Sequence, residues 1–459
     1  MSENGLESKY GTIELEQSRF VYWNKTRYFI VLVSLLCLTL AQINALTFNF
    51  TVICMNDVVE EFYERNSSGT HWMESSTDKS FLFSAVAIGE IAGLIPSVPL
   101  IDHFGIRVVL TVYGLISAAA SLFFPLAVSF NYYTVILCRA LHGLGTSILF
   151  TAVGVISGVW APENETGTFL AVLSTAFQIA SILSMSVSGV LCESAFGWRS
   201  IYYLFGTLTF IGFIVFFFLY TDEPRTHKHI SQAELAKLQQ DKVVSVKEKV
   251  PYKAIATDIT VIMAWLSVFG GDIGFIILMF YGPTYLRDVL HFDVKTTGFA
   301  SALPYVIAAI VKFSAGQLSD RCKFVSEKTR FTFCAIVSQF GLAAVFLVMA
   351  LTSNRVVAHI TYTLAIAIAG LNIMGTIKCV QLRCRQHVHF AVAVIGMMAC
   401  LIQFIAPIGI GLLITENTQE EWSRLFLIIC ILIVLFNLPF PFFTSAEPGP
   451  YVTTNEESD

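Results

Sequence analysis

Tyr133–Trp160 reads YTVILCRALHGLGTSILFTAVGVISGVW, and Arg139 is its single formal charge. The stretch is longer than the ~20 apolar residues needed to cross a bilayer at about 1.5 Å of rise each. A guanidinium does not shed its proton, and at mid-membrane it costs about 2.5–3.5 kcal/mol even on insertion scales. A chain that keeps such a charge is expected to hold something negative with it. The competing readings are a structural ion pair or a long side chain reaching outward to the interface. Gly143, Gly145, Gly154 and Gly158 surround it and predict close approach by neighbouring helices.

The rest of the chain has the composition this stretch suggests. Of 459 residues, 55% are hydrophobic and 13% charged, with mean hydropathy +0.69. Those values exclude a soluble enzyme and fit a chain solvated by the lipid bilayer. The net charge of −5 lies in loops, and without a basic tract no nucleic-acid partner is expected. The ten cysteines fall mostly inside apolar segments without paired spacing, and read as small core residues rather than a disulfide framework. The first residues are polar and acidic, so the first span is expected to direct insertion.

In order, residues 1–27 form a polar tail and 28–220 hold six apolar spans. A charged stretch follows at 221–257, then six more spans at 258–443 and a short acidic tail at 444–459. The reading is about twelve transmembrane helices in two six-helix bundles, an all-α membrane protein. With the N-terminus inside, cytosolic segments carry roughly nineteen Lys and Arg against about seven outside, so both termini and the central stretch are expected in the cytosol. Within that stretch Ser231 and Glu234 have capping-box spacing, which predicts a short surface helix. Of the sequons at Asn24, Asn49, Asn66 and Asn164, topology leaves only Asn66 positioned for glycosylation.

The halves echo one another. Leu100-Ile-Asp102-His-Phe-Gly105-Ile-Arg107 follows the second span, and Gly316-Gln-Leu-Ser-Asp320-Arg321 follows the eighth. Each sets an acid and a base in a tight turn, where the acid meets a helix N-terminus or the base and the contact breaks when that side opens. This resembles the loop signature of the major facilitator superfamily, although Val98 stands where the first copy usually has Gly. The resemblance narrows to the anion/cation symporter family (solute carrier family 17: sodium/phosphate cotransporters, sialin and vesicular glutamate transporters), in its invertebrate branches. The matching residues are Arg139-x-x-x-Gly143-x-Gly145, Trp160-Ala-Pro162, Gly197-Trp198-Arg-Ser-Ile-Tyr-Tyr203, Pro283-Thr-Tyr285, Ser301-Ala-Leu-Pro-Tyr305 and Gly370-Leu-Asn372, with Lys378…Gln381…Arg385 pointing to the branch.

The resemblance implies an alternating-access carrier of small anions, coupled to Na⁺ or H⁺, with Arg139 at the anion. Proton-using members often carry a Glu near the position where this chain has Thr146, and many have a first-helix Arg that Gln42–Thr47 lacks. Proton coupling of the vesicular glutamate type is therefore put in doubt. Glu90 and Asp272, each mid-span among glycines, are the candidate cation-coupling carboxylates, with ion pairs to Arg139 or a polar neighbour as the bland alternative. His142, one turn from Arg139, Lys312, Asn44 and Tyr305 are candidate substrate contacts; the competing roles are a satisfied core histidine, interhelical hydrogen bonds and packing at a helix kink. His387 and His389 are two apart, on different sides of a helix, so no metal site is expected.

The expectation is a secondary active transporter of small organic or inorganic anions, working as a monomer without a cofactor beyond the co-transported Na⁺ or H⁺. The alternative is a transporter-like receptor or scaffold that binds its ligand without net flux. The tail after Thr444 lacks a di-leucine signal, which points to the plasma membrane rather than a vesicle or lysosome.

Overall fold

The computed structural model describes residues 25–64, 70–162, 165–239, 250–321, 326–373 and 375–452. In the first half, helix α1 (Thr26–Thr51) is followed by α2 (Asn56–Glu64), α3 (Ser76–Phe130), α4 (Tyr132–Thr146) and α5 (Leu149–Trp160). Next come α6 (Thr166–Ser174), α7 (Ala176–Glu193) and α8 (Gly197–Leu219), then the connecting α9 (Gln232–Gln239) and α10 (Tyr252–Ala256). The second half comprises α11 (Ile259–Thr284), α12 (Val294–Arg321), α13 (Glu327–Leu351), α14 (Arg355–Ala369), α15 (Thr376–Cys384), α16 (Val388–Leu413), α17 (Gln419–Asn437) and α18 (Phe440–Phe443).

Eleven helical runs are long and apolar enough to span a membrane. The longest, α3, has 55 residues, ~80 Å at the helical rise, against ~30 Å of hydrocarbon. Gly105 breaks it with φ 78° and ψ 160°, a conformation that side chains resist. The helix therefore crosses twice, and eleven runs with one of them double make twelve crossings. The fourth, fifth and tenth spans are interrupted at Ser147–Ile148, Thr175 and Gly370–Ile373. By contrast α11 stays helical through Asp272, and its glycines serve close packing: a Cβ on Gly271 or Gly274 would strike Gln339 or Phe346.

Both ends of the described chain and the central connection lie on one face, called here the terminal face. The Thr26 and Arg27 amides donate to the two oxygens of Glu234 (3.1 and 2.9 Å), so α9 caps the start of α1. Ser231 accepts the Glu234 amide (3.1 Å), as the capping spacing predicts, while the Glu234 carboxylate turns to α1. Glu165 receives Lys237 (3.0 Å) and Arg27 (3.3 Å), and these bonds hold its carboxyl below the usual carboxylate range. In the second half, Arg383 pairs with Asp258 (2.7 Å) and donates to the carbonyls of Glu447 and Pro448. The segment after α18 is thereby tied to the same face.

On the opposite, distal face Cys54 and Cys192 form a disulfide across 138 residues of sequence. The expectation that the cysteines are only core residues is corrected here. The pair comes together because the ends of α1 and α7 meet, which no local spacing encodes. Nearby, Trp198 donates to Asp57 (2.8 Å), and Arg199 grips Asp57 and Glu61.

The two halves touch mainly toward the distal face. One apolar cluster there draws residues from both halves, whereas toward the terminal face each half has its own. At the shared seam the backbones of α7 and α12 come so close that a Cβ on Gly189 would lie 2.9 Å from the Gly298 Cα. Ser76 and Ser84 donate to the carbonyls of Ile414 and Phe404, and Ser80 bonds the Tyr281 hydroxyl (3.0 Å). Among the described residues, no hydrogen bond joins the halves nearer the terminal face than Lys312 to Ser174 (3.1 Å). Among the described residues, contact between the halves is thus concentrated toward the distal face.

Gly143 packs α4 so tightly on α3 that a Cβ would run into the Val86 carbonyl, whereas a Cβ on Gly154 meets no atom within 4 Å. Close approach, expected at four glycines, is thus seen at Gly143 and Gly145 and not at Gly154 or Gly158. Gly143→Ala should destabilise the protein by about 1–3 kcal/mol, and Gly154→Ala by less than about 0.5 kcal/mol. Thermal unfolding of both variants in the same detergent checks the contrast, and equal midpoints would contradict it.

Candidate functional site

Arg139 is fully buried where α1, α3 and α4 meet. Its Nη1 donates to the Ala45 carbonyl (2.8 Å) and its Nε to the Leu82 carbonyl (3.2 Å). The guanidinium carbon sits 4.8 Å from the centre of the Phe48 ring. Among the described residues no carboxylate forms an ion pair with it, although Glu90 and Tyr202 lie within electrostatic reach. Two backbone carbonyl dipoles and an aromatic face therefore offset this charge, which is a weak compensation for a buried cation.

Aromatic rings close the distal side of Arg139. Phe83 lies 5.3 Å from Phe48, 5.9 Å from Phe280 and 4.6 Å from Tyr281, the last two from α11. This plug joins both halves directly above the arginine. Its first-half members follow closely on the residues that hold Arg139: Phe48 is one turn beyond Ala45, and Phe83 is next to Leu82.

Glu90 is placed at the meeting of the halves. Its Oε1 accepts from Thr146 of α4 (3.1 Å) and its Oε2 from the Cys400 thiol of α16 (3.6 Å), with Gln403 at the same carboxylate. The family pattern puts a carboxylate on the fourth span near position 146. Here a threonine stands there and a carboxylate reaches it from α3. Asp272 is partly accessible in the middle of α11, and among the described residues nothing bonds to it or pairs with it.

The remaining candidates separate. His142 is buried, bonded to Ser121 (3.0 Å) and stacked near Phe124, facing the third span. Asn44 bonds Ser117 (3.2 Å) and Thr209 (3.1 Å), joining α1 to α3 and α8. Both sit within the first half, away from the seam. Tyr305 is buried against Ser181 of α7, and Lys312 reaches Ser174, so these two line the contact of α12 with α6 and α7. Asn66 lies outside the described residues.

The turn inside α3 is held differently from expectation. Asp102 is exposed, and it is Asp222, just past α8, that accepts the Arg107 amide (3.0 Å) and fills the space beside Gly105. Arg107 donates in turn to the Phe217 carbonyl (2.7 Å) and covers the Phe217 ring. Burial raises the Asp222 carboxyl above the usual carboxylate range, against the pull of the Arg107 amide and guanidinium. In the second half, Gly316, Asp320 and Arg321 lie on the last turns of α12 rather than in a turn after it, and their side chains are outside the described part.

A profile of the Major Facilitator Superfamily matches residues 32–407. The chain belongs to that superfamily. Sialin of Homo sapiens is 26% identical over 397 residues, covering 83% of this chain and 78% of its own length. Sodium-dependent phosphate transport protein 1 of Mus musculus is 27% identical over 322 residues, 68% of each chain. Among solved structures, the D-xylose–proton symporter superimposes with TM-score 0.69 at 16% identity, covering 91% of this chain and 98% of that one. This major facilitator protein is an integral multi-pass transporter rather than an enzyme, homologous to the anion/cation symporters.

Sequence reasoning missed the plug of Phe48, Phe83, Phe280 and Tyr281, because phenylalanines are too common in apolar helices to stand out. It also missed Asp222 as the acid of the turn, because that residue lies more than a hundred positions from Gly105 in the sequence. Asp222→Ala should destabilise the protein by about 1–3 kcal/mol, since it strips the partly buried Arg107 amide of its acceptor and removes the charge facing the guanidinium. Asp102→Ala should stay within about 0.5 kcal/mol. Thermal midpoints decide, and the reverse order would return the role to Asp102.

Proposed function

We propose that this transporter carries small organic or inorganic anions by alternating access, as a monomer, with the anion bound at Arg139 and a cation or proton taken up at Glu90 and Asp272. The observation that carries this reading is a buried guanidinium supplied only with carbonyl dipoles and a ring face, which a carboxylate or phosphate would satisfy far better. Similarity to sialin and the sodium-dependent phosphate transport protein supports the same class of cargo.

The arrangement suggests how opening and binding are linked. Separating Phe48 and Phe83 from the second-half rings moves the same turns of α1 and α3 whose carbonyls hold Arg139. Opening the plug would release the guanidinium toward an incoming anion. Glu90, bonded to both halves, must give up Cys400 when the halves rock, so its occupancy by a proton or cation bears on that step.

The terminal face is assigned to the cytosol. Lys and Arg are concentrated there, and the disulfide on the distal face calls for an oxidising compartment. The proposed residence is the plasma membrane, and imaging of a tagged protein checks it.

Uptake of a radiolabelled anion panel into proteoliposomes, under separate Na⁺ and pH gradients, tests the whole reading. Arg139→Ala should lower uptake by about tenfold or more, the worth of a charge-assisted contact. Glu90→Gln or Asp272→Asn should abolish the response to one gradient while sparing exchange at equilibrium. Saturable binding without flux would instead make the protein a receptor, and undiminished uptake by Arg139→Ala would remove the arginine from the anion site.

A further inference from the structure

Distal to the plug lies a chamber of about 420 Å³ between the two halves, floored by Phe83 and Tyr281. Lys79, on the first turns of α3, enters it from one half, and Arg287, Asp288 and His291 enter from the other. Asp288 is the single carboxylate among its lining residues, against two basic side chains and a histidine. Lys79 has Asp288 as its charged neighbour across the seam, and Arg287 is steadied by the Phe292 carbonyl (3.1 Å).

The backbone is specially shaped to present these groups. Past Thr284, α11 widens into a π turn over Tyr285–Val289, a geometry that recurs at functional sites. His291 then takes φ 54°, a left-handed conformation uncommon for a side-chain-bearing residue. A regular helix would turn Arg287 and Asp288 by a different angle. The charges thus face the chamber from a locally deformed stretch of the helix.

We propose that this chamber is a second, outer anion site, an antechamber in which Lys79 and Arg287 concentrate a small carboxylate or phosphate before it passes the plug to Arg139. Its surplus of positive charge, walled by apolar side chains, focuses the field on the route that the plug closes. Asp288 keeps the chamber from holding the anion too tightly, since a fully cationic pocket would trap what it is meant to hand on. The role in transport rests on the anion-carrier reading above; the charge preference of the chamber does not.

Thr284 lines the chamber and offers a neutral position for a reporter. Thr284→Cys is reacted in detergent with an anionic sulfonatoethyl or a cationic trimethylammonioethyl methanethiosulfonate, and labelling is followed by mass spectrometry of the peptide containing residue 284. Rates are normalised to those of free 2-mercaptoethanol. The anionic reagent should be favoured by about fivefold or more at low salt, and less as salt screens the field. Lys79→Gln and Arg287→Gln should each reduce the preference, Asp288→Asn should increase it, and inorganic phosphate or acetate should slow labelling. A retained Cys54–Cys192 disulfide and an unchanged thermal midpoint show that each variant is folded. A normalised ratio at or below one, or one indifferent to Lys79→Gln and Arg287→Gln, overturns the proposal. Because labelling needs no flux, such a result leaves the carrier reading standing, and loss of flux with the preference intact does the opposite.

Discussion

The structure turns on a guanidinium that has left water without finding a carboxylate. Arg139 reaches only carbonyl oxygens already engaged in their own helices, so those helices must come within about 3 Å of its nitrogens. That demand explains the tight packing of α3 on α4, where Gly89 and Gly143 leave no room for a side chain. It also fixes Phe48 and Phe83, because the turns that supply the acceptors carry the rings of the plug. Charge, packing and gate are three aspects of one local arrangement.

Much of the architecture was legible because the bilayer enforces it. Apolar runs of spanning length, their number and the asymmetry of Lys and Arg all follow from the cost of exposing polar groups to hydrocarbon. Arg139, Glu90 and Asp272 stood out for the same reason: a charge in an apolar run needs an explanation. Ser231 and Glu234 were readable because a helix cap is a local pattern.

What stayed hidden depends on contacts between segments far apart in sequence. Cys54 and Cys192 show nothing in their spacing, and only the convergence of two helix ends pairs them. Asp102 looked like the turn's acid since it lies beside Gly105, yet Asp222 approaches from more than a hundred residues away. Thr146 read as a missing carboxylate until Glu90 was found bonded to it. His142 shares a helix face with Arg139 by spacing, but its ring turns to Ser121. Rotamers and neighbours, rather than periodicity, decided these cases.

The seam at Gly189 and Gly298 carries one more consequence. Two helices meet there backbone to backbone, with no side chain between them to interlock. Such a contact works as a smooth fulcrum, able to part and re-form without dragging rotamers through unfavourable wells. A single methyl group inserted there would act as a wedge. The clusters nearer the terminal face, each inside one half, would be untouched, and the protein would survive folded but biased toward its other conformation, a carrier jammed rather than broken.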